Sequence, residues 1–133
     1  MNITFEDLKY WALTVYGEAR GESIPGVDAV AHVIHNRAVK RKQSIKDVCL
    51  APWQFSCWNA NDPNFKILSD PNFNIVTPAM LVILDSIAAV MNGEADYTRG
   101  SCHYCTTNIT PNWAQGKEPT VVIGNHKFYN NVN

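Results

Sequence analysis

Charge is scarce in this chain. Only 17% of its 133 residues are Asp, Glu, Lys or Arg, and the formal net charge is −1. That near-balance excludes a nucleic-acid binder built on a strongly basic surface, and equally a long acidic disordered tail. Long apolar runs are also lacking. The longest, Pro78 to Met91, is interrupted by Asp85 and Ser86 and falls short of the ~20 residues that span a bilayer. No membrane insertion is expected. The opening Met1-Asn2-Ile3-Thr4-Phe5-Glu6-Asp7 has neither a basic cluster nor an apolar stretch, so a cleavable secretory leader is not expected. Cysteine is limited to Cys49, Cys57, Cys102 and Cys105. Without a leader, these are expected to be small, buried, reduced thiols. Cys102-His103-Tyr104-Cys105 supplies half of a zinc site, but Cys49 and Cys57 are poorly spaced for the other half. No metal and no other cofactor is expected.

What is present suits an ordinary globular fold. The hydrophobic fraction is 46%, and the length fits a single domain over 1–133, expected to be monomeric. Thr4 and Asp7 form a capping-box pattern ahead of a stripe at Leu8, Trp11, Ala12 and Val15. Gly21 ends or kinks that helix. A second helix starts near Pro25 and runs to about Lys40, with Val27, Val30, Ala31, Ile34 and Ala38 on one side. Ser44 and Asp47 announce a short helix ending near Leu50. Residues 51 to 76 show no period and read as a long aromatic loop, anchored by Trp53, Phe55 and Trp58. Thr77, Pro78 and Gly93 bracket another helix, apolar on most faces and expected to be the buried central one. Cys102 to Thr106, Thr120 to Ile123 and His126 to Tyr129 read as strands, with Gly124-Asn125 as a tight turn. The fold class is α+β, a helical domain with a small antiparallel sheet near the C-terminal end.

The first stripe, extended by one step, reaches Glu18. A carboxylic acid on an apolar face is costly to ionise, which suits a general acid working near neutral pH. The competing role is a buried ion pair with Arg20 or Arg37. Glu22 would share the face of Glu18 only if the helix continued through Gly21. Asp62, Asp70 and Asp96 lie in loops. No second carboxylate is forced into a glycosidase-type pair.

Five strings stand in order along the chain: Tyr16-Gly17-Glu18-Ala19-Arg20-Gly21-Glu22, Ala29 to Arg37, Gln54-Phe55-Ser56-Cys57-Trp58, His103-Tyr104, and Ile123 to Tyr129. Together they resemble the catalytic domain of the SleB-type cell-wall hydrolases, which include spore-cortex-lytic enzymes and phage endolysins. The resemblance covers about Leu8 to Tyr129. It implies a lysozyme-like fold and cleavage of the peptidoglycan glycan strand between N-acetylmuramic acid and N-acetylglucosamine, without metal. It makes Glu18 the catalytic acid. A transglycosylase needs no second carboxylate, because the sugar's own 6-hydroxyl attacks. The sequence departs from the family at Cys105, where relatives carry a histidine. The resemblance also implies a protein made in a bacterial or host cytoplasm and acting on the bacterial wall.

Substrate-binding candidates around Glu18 are Glu22, Gln54, Ser56, His103, Tyr104 and Trp113. Amide and hydroxyl groups suit sugar hydroxyls and N-acetyl groups, and aromatic rings suit sugar faces. Strand alternation puts His103 and Tyr104 on opposite faces, so one of them lines the cleft. His32 and His35 read as satisfied helix histidines rather than a metal pair, since no Glu follows His32. Asn36, Arg37 and His126 read as structural. Two other functions fit fewer of these residues: a zinc amidase using the cysteines and histidines, and a wall-binding virion component without catalysis.

Overall fold

The structure is a computed structural model and describes residues 1–132. Five α-helices precede a three-stranded antiparallel sheet of order β1-β3-β2. Helix α1 spans Phe5–Ala19, and its capping box is complete. Asp7 N–H donates to Thr4 Oγ1 at 3.1 Å, and Thr4 N–H donates back to Asp7 Oδ2 at 3.0 Å. The other oxygen of Asp7 accepts the Lys46 N–H at 2.9 Å. One carboxylate thus starts α1 and ties it to α3, Ile45–Leu50.

Helix α2, Ile24–Arg41, is the buried helix of the molecule. It packs against α1, α3 and α5. Small residues, Ala29, Ala31 and Ala38, let those neighbours close in, while Val30, Val33 and Ile34 fill the core with Trp11 and Val15 of α1. Trp11 Nε1–H is satisfied by the Ala31 carbonyl at 3.2 Å. Fully burying one such apolar side chain contributes about 1.5–3 kcal/mol.

The apolar helix expected at the centre, α5 (Pro78–Met91), lies at the surface instead. It uses one stripe, Met80, Ile83, Ile87 and Val90, against the core. Leu81, Leu84 and Met91 face out, Leu81 at 55% exposure. A helix covered from one side buries one stripe, whatever its overall composition.

The aperiodic stretch 51–76 also departs from expectation. It contains α4, Pro63–Ser69, started by Asp62 as N-cap with Pro63 in the first turn. Only Leu68 of α4 is buried, so no apolar period marks it. Trp53 does not anchor this region. It is 82% exposed, at φ +64°, while Phe55 and Cys57 point inward.

The three strands lie where they were expected, to within one residue at each end. Strands β1 (His103–Thr106), β2 (Val121–Ile123) and β3 (His126–Tyr129) pair with Tyr104 opposite Phe128 and Val121 opposite Phe128. Gly124, at φ +59°, makes the β2–β3 turn.

Candidate active site

Glu18 sits on the last turn of α1, half-buried. Tyr104 O–H donates to its Oε1 at 2.5 Å, and Cys57 N–H donates to its Oε2 at 3.3 Å. One donor comes from strand β1 and the other from the loop after α3.

Neighbouring residues hold both donors in place. Gly17 leaves room for the loop, since a Cβ there would stand 2.7 Å from Cys57 Cβ and 3.0 Å from Leu68 Cδ1. Buried Arg37 donates twice to the Cys102 carbonyl, at 2.9 and 2.6 Å, and its guanidinium lies 4.9 Å from the Phe55 ring centroid. It therefore fixes the approach to Tyr104 and the loop that offers Cys57 N–H together. Asn36 adds bonds to the Ser101 carbonyl and Asp96. The structural roles expected for Asn36 and Arg37 are the ones observed. Burial and the Glu18 carboxylate push the Tyr104 phenol well above its ordinary range, so it remains an O–H donor.

Glu18 opens on a shallow groove of roughly 420 Å³, bordered by Arg20, Glu22, Asn64, Thr106, Asn125 and His126 among others. Glu22 is the second carboxylate here, but α1 has ended at Ala19 and Glu22 leaves its face. Its Oε1 accepts the Asn125 N–H and its Oε2 the Asn125 side-chain amide, both at 2.9 Å. The backbone bond from Asn125 is the main reason its carboxyl is held below the ordinary range. A Cβ at Gly124 would stand 2.6 Å from Glu22 Oε1. Glu22 is a clamp on the β2–β3 turn.

The other loop carboxylates are engaged too. Asp62 accepts from Asn64 N–H, Asp70 from Asn72 N–H, and Asp96 from Thr98, Gly100 and Asn36.

Tyr104 and Glu22 are thus brought to Glu18. His103 and Trp113 are not. They pack on each other at a tilt, centroids 5.2 Å apart, on the opposite face of β1, where Trp113 also meets Tyr129. Gln54 and Ser56 are exposed on the outer side of the loop and do not line the groove. The sequence reading missed Asn64, Thr106 and Asn125. Asn64 was announced by the Asp62-Pro63 helix start, and Thr106 by alternation from Tyr104.

All four cysteines are buried free thiols. Burial pushes Cys49 up to about 12 and Cys57 higher still. Among the described residues, none of them joins a metal-competent cluster. The cluster that forms, Asp28 with His32 and Glu94, borders a different cavity. His32 departs from expectation: its buried Nε2 has no hydrogen-bond partner.

No curated protein matches the chain. Two solved structures do. The catalytic domain of the Bacillus cereus SleB protein is 29% identical, with 96% of this chain and 92% of that one covered and a TM-score of 0.71. The catalytic domain of the germination-specific lytic transglycosylase SleB from Bacillus anthracis shares the fold at 24% identity, with coverages of 96% and 97% and a TM-score of 0.73. The family profile described as Cell Wall Hydrolase matches residues 21–129, beginning just after Glu18. A match over most of the chain, on a fold shared with SleB catalytic domains, makes this protein an enzyme of the cell wall hydrolase family.

Proposed function

We propose that this protein cleaves the glycan strand of bacterial peptidoglycan between N-acetylmuramic acid and N-acetylglucosamine as a lytic transglycosylase, with Glu18 as acid and then base. The observation that carries this reading is the contrast within one groove. Glu18 is presented by two donors drawn from distant segments, whereas both oxygens of Glu22 are occupied by Asn125. A single working carboxylate suits intramolecular attack, which needs no water-activating partner. The family membership and the lytic transglycosylase description of the B. anthracis relative point the same way.

Protonated Glu18 gives its proton to the glycosidic oxygen as the C1–O bond breaks. The resulting carboxylate takes the proton of the muramic acid 6-hydroxyl as that oxygen bonds to C1. This closes a 1,6-anhydro ring and restores the acid. Between the two halves, Tyr104 O–H and Cys57 N–H stabilise the carboxylate.

Mass spectrometry of products released from purified peptidoglycan tests the reading. Wild type should release anhydro-muropeptides, with product type unchanged by EDTA. Glu18→Gln should lose about 10²–10⁴-fold in rate while keeping its fold. A folded Glu18→Gln with more than about a tenth of the activity would remove Glu18 from the chemistry. Reducing sugar ends would mean hydrolysis and turn attention to Glu22. Free stem peptides that disappear on chelation would indicate an amidase.

A further inference from the structure

A second cavity, about 730 Å³, lies between α2, the C-terminal half of α5, residues 94–99 and strand β2. It shares no lining residue with the Glu18 groove. Asp28 and His32, one turn apart on α2, meet Glu94 from the turn after α5. His32 Nε2 stands 3.7 Å from Asp28 Oδ2 and 3.7 Å from Glu94 Oε2. One donor atom from each of the three lies within 4.8 Å of the others.

His32 itself points to a ligand. It is only 4% exposed, and its Nε2, aimed between the two carboxylates, has no hydrogen-bond partner. Behind the ring, Nδ1 faces Asp96 Oδ1 at 3.9 Å. Asp96 is immobilised by Thr98, Gly100 and Asn36. At 3.9 Å this is not a hydrogen bond, but a shift of under about an ångström would bring Asp96 to the position from which a carboxylate commonly orients a metal-binding histidine. Donors bound at about 2.0–2.1 Å around a tetrahedral ion stand roughly 3.3–3.5 Å apart. The observed 3.7 Å spacings need a contraction of only a few tenths of an ångström. One imidazole with two carboxylates favours a first-row transition ion or zinc over an all-oxygen calcium site.

We propose that Asp28, His32 and Glu94 bind one divalent cation, Zn²⁺ or Mn²⁺, with water from the cavity completing its coordination. The ion braces α2 against the turn that leads, through the Asn36 and Arg37 contacts, into β1 and Tyr104. It takes no part in glycan cleavage.

The test is calorimetric titration of tag-free, EDTA-stripped protein with Zn²⁺, Mn²⁺ and Ca²⁺ separately. One Zn²⁺ or Mn²⁺ should bind per chain with Kd below about 100 µM, and a hundredfold excess over Kd should raise Tm by about 4 °C or more. Glu94→Gln should weaken binding at least about tenfold, and His32→Gln should abolish it. Glu18→Gln should bind like wild type, which separates failure here from failure of the proposed activity. The inference is overturned if neither Zn²⁺ nor Mn²⁺ binds below that limit, as for an imidazolium merely paired with carboxylates. It is also overturned if Glu94→Gln binds undiminished, placing the ion elsewhere, or if Ca²⁺ is preferred to both. Should His32→Gln fail to fold, Glu94→Gln and Asp28→Asn decide the matter.

Discussion

The two faces of the small sheet have different surroundings. On one, Tyr104, Thr106, His126 and Phe128 turn towards the helices, and Tyr104 reaches Glu18. On the other, His103, Cys105 and Tyr129 gather around Trp113 as a separate small cluster. Neighbours in sequence therefore do unlike work. Tyr104 presents a hydroxyl to the carboxylate, and His103 closes a packing layer. A shift of one residue in the β1–β3 register would exchange the two faces, so the register given by Tyr104 opposite Phe128 is a requirement of the role proposed for Glu18 and Tyr104.

Tyr104→Phe breaks the comparison most directly. The ring keeps its packing on Phe128 and His126, and only the donor to Glu18 is lost. Lytic rate should fall about 10–100-fold with Tm nearly unchanged, the scale of a hydrogen bond to a charged group. An equal loss from removing the opposite layer would erase the distinction. Trp113→Ala provides that control. It should destabilise by about 2 kcal/mol, less than a fully buried tryptophan would cost, while folded protein keeps its lytic rate within about twofold, as read by denaturant melts beside rate assays.

Glu22→Gln should cost about 1 kcal/mol, since one of the two Asn125 bonds becomes mismatched. The Glu22 carboxyl is held low in the folded state. Its contribution is therefore present above the ordinary carboxyl range and lost as pH falls through the lowered folded value. The Tm gap between variant and wild type should close in acid. An effect confined to acid pH is expected at His103. Burial, with the charges of Arg37, Arg41 and Lys40, depresses it from 6.5 to about 4. The unfolded chain binds the proton first on acidification, so stability should decline as pH falls from about 6.5 to about 4. His103→Gln should flatten that limb in a pH series of thermal melts.

Three capped helix starts were legible in the sequence because capping is local, whereas that of α4, with Asp62 ahead of Pro63, was read as loop for want of an apolar period behind it. Thr4 with Asp7, Ser44 with Asp47, and Thr77 with Pro78 all begin helices as read. Helix placement was less legible. Composition marked α5 as central, but α2, whose Ala29, Ala31 and Ala38 are all buried, occupies the middle because its neighbours need small residues there to approach. At the site, alternation and the family pattern narrowed the strand to His103 or Tyr104 without choosing between them, because which face meets the helices depends on non-local packing. The partner of Glu22 was not, because Asn125 is 103 residues away and no local pattern links them. The orphaned His32 nitrogen was hidden for the same reason, since Glu94 and Asp96 reach it from another element.

The two donors on Glu18 come from 39 and 86 residues further along the chain. The helices can form and cap themselves through contacts a few residues apart, but these two bonds require the loop and the sheet to have closed onto α1. Non-local closures of this kind carry the greatest loop entropy and are slow to form. Local opening of the sheet would disconnect Tyr104 from Glu18 while the helical signal stays intact. With Glu18 in its proposed role, catalytic competence is the most cooperative property of this chain, and lytic activity should report complete folding more stringently than helix content does.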